Sequence, residues 1–219
     1  MSTSTGLNAP FQLPLYIDYA ATFLWAISGA LVAARQRFDV AGVAGLALVT
    51  AAGGGILRDG LFIQQGPPRF VQSPAYITII VLAAAIVLLA GQRVNRWKGF
   101  DTLVALVDSA ALAAYGLVGL SIARNAGLSL PAAIFVGIVN AVGGGVLRDV
   151  LVGRTPEVFR PGVPTAIAAF VSCLIFLGLT RLLGLGETIA ALIAIGTVFA
   201  LRATALQYNL HTRPAPGFD

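Results

Sequence analysis

Cysteine and histidine occur once each in this sequence. Cys173 alone excludes an intrachain disulfide and leaves the redox compartment open. His211, alone and in the polar tail, excludes a His/Cys metal cluster and a Ser/His/Asp triad by count. The sequence therefore offers no catalytic constellation, no metal site and no cofactor site, and it does not read as an enzyme. Charge is scarce as well. Charged residues make up 11% of the chain, against about 25% in an ordinary soluble domain. Basic residues outnumber acidic ones, for a formal net charge of +5. The arginines are scattered through connecting stretches and form no basic face, so nucleic acid is not an expected partner.

What the chain has instead is apolar length. Hydrophobic residues are 58% of the total, and seven stretches approach the roughly 20 apolar residues that a helix needs to cross lipid. They lie at 15–34, 40–57, 74–91, 102–123, 126–147, 162–180 and 188–206. The expected fold is an all-α integral membrane protein with seven transmembrane helices. The first stretch lacks a positively charged segment ahead of it and is not read as a cleaved signal peptide. Arg202 interrupts the seventh, where a long side chain near a helix end is expected to snorkel to the interface.

The loop arginines set the orientation. One set of connections carries Arg35, Arg37, Arg93, Arg96, Lys98, Arg154, Arg160 and, in the tail, Arg213; the opposite set carries Arg69, Arg124 and Arg181. By the positive-inside rule the N-terminus lies outside and the C-terminus in the cytoplasm. Trp97, beside the central basic loop, is an expected interface anchor. Multi-pass insertion in the cell's inner (plasma) membrane follows.

Two stretches carry the same motif. Residues 51–70 read AAGGGILRDGLFIQQGPPRF and residues 141–160 read AVGGGVLRDVLVGRTPEVFR, ninety positions apart. At that offset Asp18 answers Asp108, Gly29 answers Gly119 and Thr50 answers Asn140. This is an internal duplication. Each copy holds three spans, and because three is odd the second copy enters the membrane from the opposite side, giving an inverted pair. The organisation reads as an N-terminal segment at 1–14, a first three-helix repeat at 15–92 and a second, inverted repeat at 102–183. A seventh helix at 187–206 and a polar tail at 207–219 complete it.

Three consecutive glycines inside a helix cost about 1 kcal/mol each relative to alanine. Either they let two backbones approach closely, or they let a helix bend or unwind where it lines a cavity. Residues four apart share a face, so Ala133, Gly137, Ala141 and Gly145 form a ladder suited to close packing. Thr50, Gly54 and Arg58, with Asn140, Gly144 and Arg148, form a second face of polar group, bare backbone and cation, suited to a water-filled path. The candidate pore or hinge residues are thus Gly53, Gly54, Gly55, Gly143, Gly144, Gly145, Thr50 and Asn140. Arg58, Asp59, Arg148, Asp149, Asp18 and Asp108 are the gating or ion-pair candidates, with Asp18 equally readable as a complement to its helix dipole. Which pairs form is open.

The doubled GGGxLRD, with three spans to each copy and a seventh following, resembles the prokaryotic trimeric intracellular cation (TRIC) channels. The resemblance covers about residues 12–206. It implies a homotrimer in which each subunit has its own pore, lined by kinked second and fifth helices and passing potassium, with sodium as a second permeant ion. Phospholipid in the subunit grooves is a further implied partner. The lysine-glutamate-valine signature that animal members carry on the fourth span is missing; Asp108 is that span's only charge, which argues against inositol-lipid regulation. The same duplicated domain also resembles proteins described as glycine transporters, so a carrier of a small zwitterion is the alternative.

Overall fold

The computed structural model describes residues 13–90, 99–160 and 165–208. The basic loop around Trp97, most of the N-terminal segment and the end of the tail, with His211 and Arg213, lie outside the described residues.

Seven long helices run through the described residues, and no strand is found among them. They are α1 (Leu15–Arg35), α2 (Val40–Leu57), α3 (Pro74–Ala90), α4 (Phe100–Asn125), α5 (Leu130–Leu151), α6 (Thr165–Arg181) and α7 (Glu187–Gln207). Helix α2 runs on as a wider π-helical turn over Arg58–Ile63. Five of the seven, α1, α2, α4, α5 and α7, are long and apolar enough to cross a bilayer. Helices α3 and α6 have 17 residues each, or about 25 Å of rise, which is the short end of the spanning range. This is an all-α membrane fold.

Local signals explain the boundaries. The Asp39 carboxylate accepts from the Gly42 backbone N–H at 2.7 Å and caps α2. Helix α5 starts at Leu130, four residues later than hydropathy places it. Gly127 takes a positive φ of 88° ahead of it, and a proline stands in the first turn. At its other end α5 continues through Arg148 and Asp149 to Leu151, because both charged side chains are buried and paired.

Helices α1 and α4, equivalent in the two copies, are the most enclosed of the five long spans, and α7 is the least. Large apolar side chains on the outer helices, such as Leu82, Leu89, Ile167, Leu174 and Ile193, remain exposed. In a bilayer such a surface needs no protein cover.

The centre is the crossing of α2 and α5. A Cβ placed on Gly54 would run into the Asn140 carbonyl, and one on Gly144 would run into the Thr50 carbonyl. A Cβ on Gly53 would lie 2.8 Å from Leu147 Cδ1, and one on Gly143 would lie 2.8 Å from Leu57 Cδ1. In these pairs one residue number falls as the other rises, so the two helices run antiparallel. Each contact also maps onto another when ninety is added to one member and subtracted from the other. That exchange is a two-fold relation between the repeats. Inside each copy the packing matches too: Gly29 lies against Thr50 as Gly119 lies against Asn140.

The small-residue ladder packs within the subunit. A Cβ on Gly137 would come within 2.7 Å of the Gly116 carbonyl oxygen on α4, and one on Gly145 within 3.3 Å of the Trp25 ring on α1. Ala133 and Ala141 are fully buried.

Candidate functional site

Both glycine triples lie in continuous helix, and neither is unwound at Gly53–Gly55 or Gly143–Gly145. The first two glycines of each triple make the α2–α5 crossing. The third faces away from it into a polar cavity. The pair of cavities follows the two-fold: Asp18, Thr22, Ala52, Gly55, Arg58, Asp59 and Tyr115 line one, and Asp108, Leu112, Val142, Gly145, Arg148, Asp149 and Trp25 line the other. Each has about 20 Å³ of free space, enough for roughly one water.

In the first cavity Arg58 makes a bidentate pair with its neighbour Asp59: Nε donates to Oδ1 at 2.6 Å and Nη2 to Oδ2 at 2.8 Å. Adjacent helix residues point about 100° apart, so the long guanidinium has to curl back to reach the carboxylate. Its third bond crosses to the other repeat, where Nη1 donates to Asn140 Oδ1 at 3.2 Å. Asn140 Nδ2 in turn donates to the Tyr115 carbonyl at 2.7 Å. The Tyr115 hydroxyl donates to the Ala51 carbonyl at 2.8 Å and meets Thr22 Oγ1 at 2.9 Å. The Asp59 carboxylate also accepts the Arg69 backbone N–H at 3.1 Å, closing the connection after α2 onto the motif.

Asp18 stands apart. Its carboxylate accepts the Tyr76 hydroxyl at 2.6 Å, and it joins no salt bridge among the described residues. It is buried and lies in the first turn of α1, a place that suits a carboxylate beside the helix dipole. A wider, more open cavity of about 250 Å³ lies beside this one. The two share Asp59 and Arg69, and Gln65, Gln72 and Asn125 help to line the wider space.

The second cavity is more heavily charged. Arg148 Nε donates to Asp149 Oδ1 at 3.0 Å, and Nη1 donates to Asp108 Oδ2 at 2.8 Å and to Ser28 Oγ. Its guanidinium carbon stands 5.9 Å from the centre of the Trp25 ring. The Asp149 carboxylate accepts the Glu157 backbone N–H at 3.2 Å, as Asp59 accepts that of Arg69.

The pairs left open by the sequence are therefore Arg58–Asp59, Arg148–Asp149 and Arg148–Asp108. Thr50 and Asn140, equivalent by position, diverge in use. Thr50 Oγ1 donates to the Leu46 carbonyl of its own helix at 2.6 Å, whereas Asn140 ties three helices together. Arg202 does not snorkel: it is 3% exposed and turned into the second cavity. Sequence reading also passed over Thr22, Ser28, Tyr76 and Tyr115. Each is a hydroxyl inside an apolar helix, and that was the available signal.

The family model described as "Glycine transporter" matches residues 15–92 and 105–181. A UPF0126 membrane protein of Deinococcus radiodurans is 38% identical over 143 residues, which span 65% of this chain and 65% of that protein. The UPF0126 inner membrane protein YadS of Escherichia coli (strain K12) is 31% identical over 68% of this chain and 70% of its own length. Among solved structures, the TRIC trimeric intracellular cation channel orthologue from Rhodobacter sphaeroides superimposes with a TM-score of 0.80 at 28% identity. That match covers 90% of this chain and 98% of that one. The chain belongs to the duplicated-domain membrane family that the glycine transporter model describes, and it is a relative of the prokaryotic TRIC channels.

Proposed function

We propose that the protein is a homotrimeric monovalent cation channel, passing mainly potassium, with one path through each subunit between α2 and α5. The observation that carries this reading is the pair of buried polar cavities, related by the two-fold, one towards the C-terminal end of each glycine helix. Hydroxyl and carboxylate oxygens and arginine side chains line them beside apolar groups, and there is no dedicated loop of carbonyl rings among the described residues. Such a lining predicts weak discrimination between potassium and sodium. The kinship with TRIC cation channels points the same way.

In this reading the described conformation is shut. The path is interrupted where Gly53 and Gly54 meet Gly143 and Gly144, and on one side Arg58 bridges to Asn140. Opening requires the two helices to part or bend at the crossing, so the glycine triples are both contact and joint. The surrounding apolar helices sit in the inner membrane with phospholipid against them, N-terminus outside and C-terminus cytoplasmic. Arg35, Arg37, Arg154 and Arg160 lie at connections on the cytoplasmic side.

The family description keeps a glycine carrier as the second reading. A carrier of that kind grips its substrate with the ends of broken half-helices, and α2 and α5 are continuous. Purified protein in a planar bilayer separates the two. Discrete current steps that reverse near the cation equilibrium potential under a KCl gradient are expected. Reversal at the chloride potential would sink the cation reading, and saturable glycine uptake without current steps would favour the carrier.

A further inference from the structure

The duplication leaves α7 without a counterpart, and α7 brings the buried Arg202 into the second cavity, whereas the second guanidinium of the first cavity, Arg69, comes from the exposed connection after α2. Arg202 Nε donates to Ser109 Oγ on α4 at 2.9 Å, and Nη2 donates to Glu157 Oε1 at 3.2 Å in the turn after α5. Three buried polar atoms of residues lining this cavity have no hydrogen-bond partner among the described residues: Arg202 Nη1, Asp108 Oδ1 and Thr165 Oγ1. The parent side chains belong to residues that are 3%, 5% and 7% exposed. Three carboxylates, Asp108, Asp149 and Glu157, stand around the cavity against two guanidiniums, Arg148 and Arg202. The bonds of Arg148 are committed to Asp149, Asp108 and Ser28.

Without the guanidinium of Arg202, the two groups it bonds, Ser109 Oγ and Glu157 Oε1, would be left as oxygen ligands in a cavity that Asp108 and Thr165 also line. Carboxylates with hydroxyls are what a hard monovalent cation takes in exchange for its water. An arginine cannot lose its charge to suit a buried place, so here it acts as a cation fixed to a helix. We propose that Arg202 is a tethered occupant of a monovalent-cation station in the second half of the path, and that it must withdraw for an ion to pass. The inference rests on the channel reading only for the word "pass"; the occupancy itself does not depend on it. The tie to Glu157 is the side from which it is released. It is the longer of the two bonds, and the Glu157 side chain is 37% exposed.

The test pairs a charge-removing variant with two readouts. Arg202→Gln keeps hydrogen bonding to Ser109 and Glu157 and removes the fixed cation. In bilayers its open probability is expected to rise about tenfold, the worth of one hydrogen bond to a charged group. The second readout needs no current. Thr165→Cys is modified with aminoethyl methanethiosulfonate, a small cation, with and without Arg202→Gln; the buried Cys173 serves as the unreactive internal control. The rate of modification is expected to rise by a similar factor when Arg202 is neutralised.

If Arg202→Gln assembles with the wild-type melting temperature and neither readout moves, the proposal is overturned. If the wild type passes no current but the thiol rate rises, the channel reading fails and the occupancy stands. If Arg202→Gln does not assemble, Glu157→Gln, which leaves the guanidinium in place on a weaker tie, carries the test. A smaller gain in the same direction supports the proposal, and no gain overturns it.

Discussion

Replacing Gly54 or Gly144 with alanine sets two effects of opposite sign against each other. Alanine recovers about 1 kcal/mol of helix propensity at each site. The added methyl, however, meets backbone rather than a side chain that could turn aside. Besides the carbonyl oxygen itself, it would lie 3.0 Å from the Asn140 carbonyl carbon in one case and 3.1 Å from that of Thr50 in the other. Relief requires α2 and α5 to separate as rods, which disturbs Gly53, Gly143, Leu57 and Leu147 together. Overpacking costs about 1–3 kcal/mol, and a rigid carbonyl in the way puts this case at the upper end. Each single variant is then expected to lose about 2 kcal/mol net, or about 4–8 °C in melting temperature for a chain of this size. The double variant should lose less than the sum, because the first methyl already parts the helices. Thermal unfolding in detergent, followed by the loss of folded oligomer, gives all three values. Gly178→Ala and Gly196→Ala, where an added Cβ meets nothing within 4 Å, are the controls and should be neutral or stabilising. A single variant at Gly54 or Gly144 that melts at or above the wild-type temperature would refute the packing argument and restore the glycines as hinges alone.

Gly137→Leu should overfill the contact with Gly116 and Leu120 inside the subunit, lowering melting temperature and cross-linked trimer together; a loosened trimer that melts normally would place the ladder between subunits. Asn140→Leu strips an acceptor from Arg58 and a donor from the Tyr115 carbonyl, for a loss of about 1–3 kcal/mol in the melting assay. Arg148→Met leaves Asp108 and Asp149 without their buried partner, and breaking such a pair should cost about 3–5 kcal/mol. The added double change Asp108→Asn with Asp149→Asn should recover part of the loss, measured by the same unfolding curves.

Much of the frame was legible from two periods, the length of an apolar span and the ninety-residue repeat. Hydropathy alone located all seven helices, because lipid leaves a chain few other ways to satisfy its backbone. It misplaced the start of α5, where Leu128 and Leu130 read as apolar and a positive-φ glycine with a nearby proline decides the boundary. The odd number of spans per copy carried the inversion. The pairing within the polar clusters was not legible. Asp18 and Asp108 occupy the same position, yet one takes a tyrosine hydroxyl and the other a guanidinium. The partners, Tyr76 and Arg148, stand on helices distant in sequence. Arg202 was visible as an interruption, but whether a lone arginine turns to the interface or inward depends on which carboxylate waits for it, and Glu157 lies in a connecting turn.

The two halves share a scaffold and differ in what they put on it. Thr22 and Tyr115 give the first cavity a pair of hydroxyls; at the same positions the second has Leu112 and Trp25. The first end therefore has neutral oxygens that can replace part of an ion's hydration shell, and it adjoins the wider polar space around Gln65 and Asn125. The second end has apolar walls, a buried Asp–Arg–Asp cluster and an arginine supplied by the unduplicated helix. In low-dielectric surroundings a fixed charge acts more strongly than it would in water, and both cavities hold such charges on buried residues. An inverted repeat by itself gives two equivalent mouths. Here the inequality comes from substitutions on α1 and α4 and from α7, so the channel proposed above, built from equal halves, would have unequal ends.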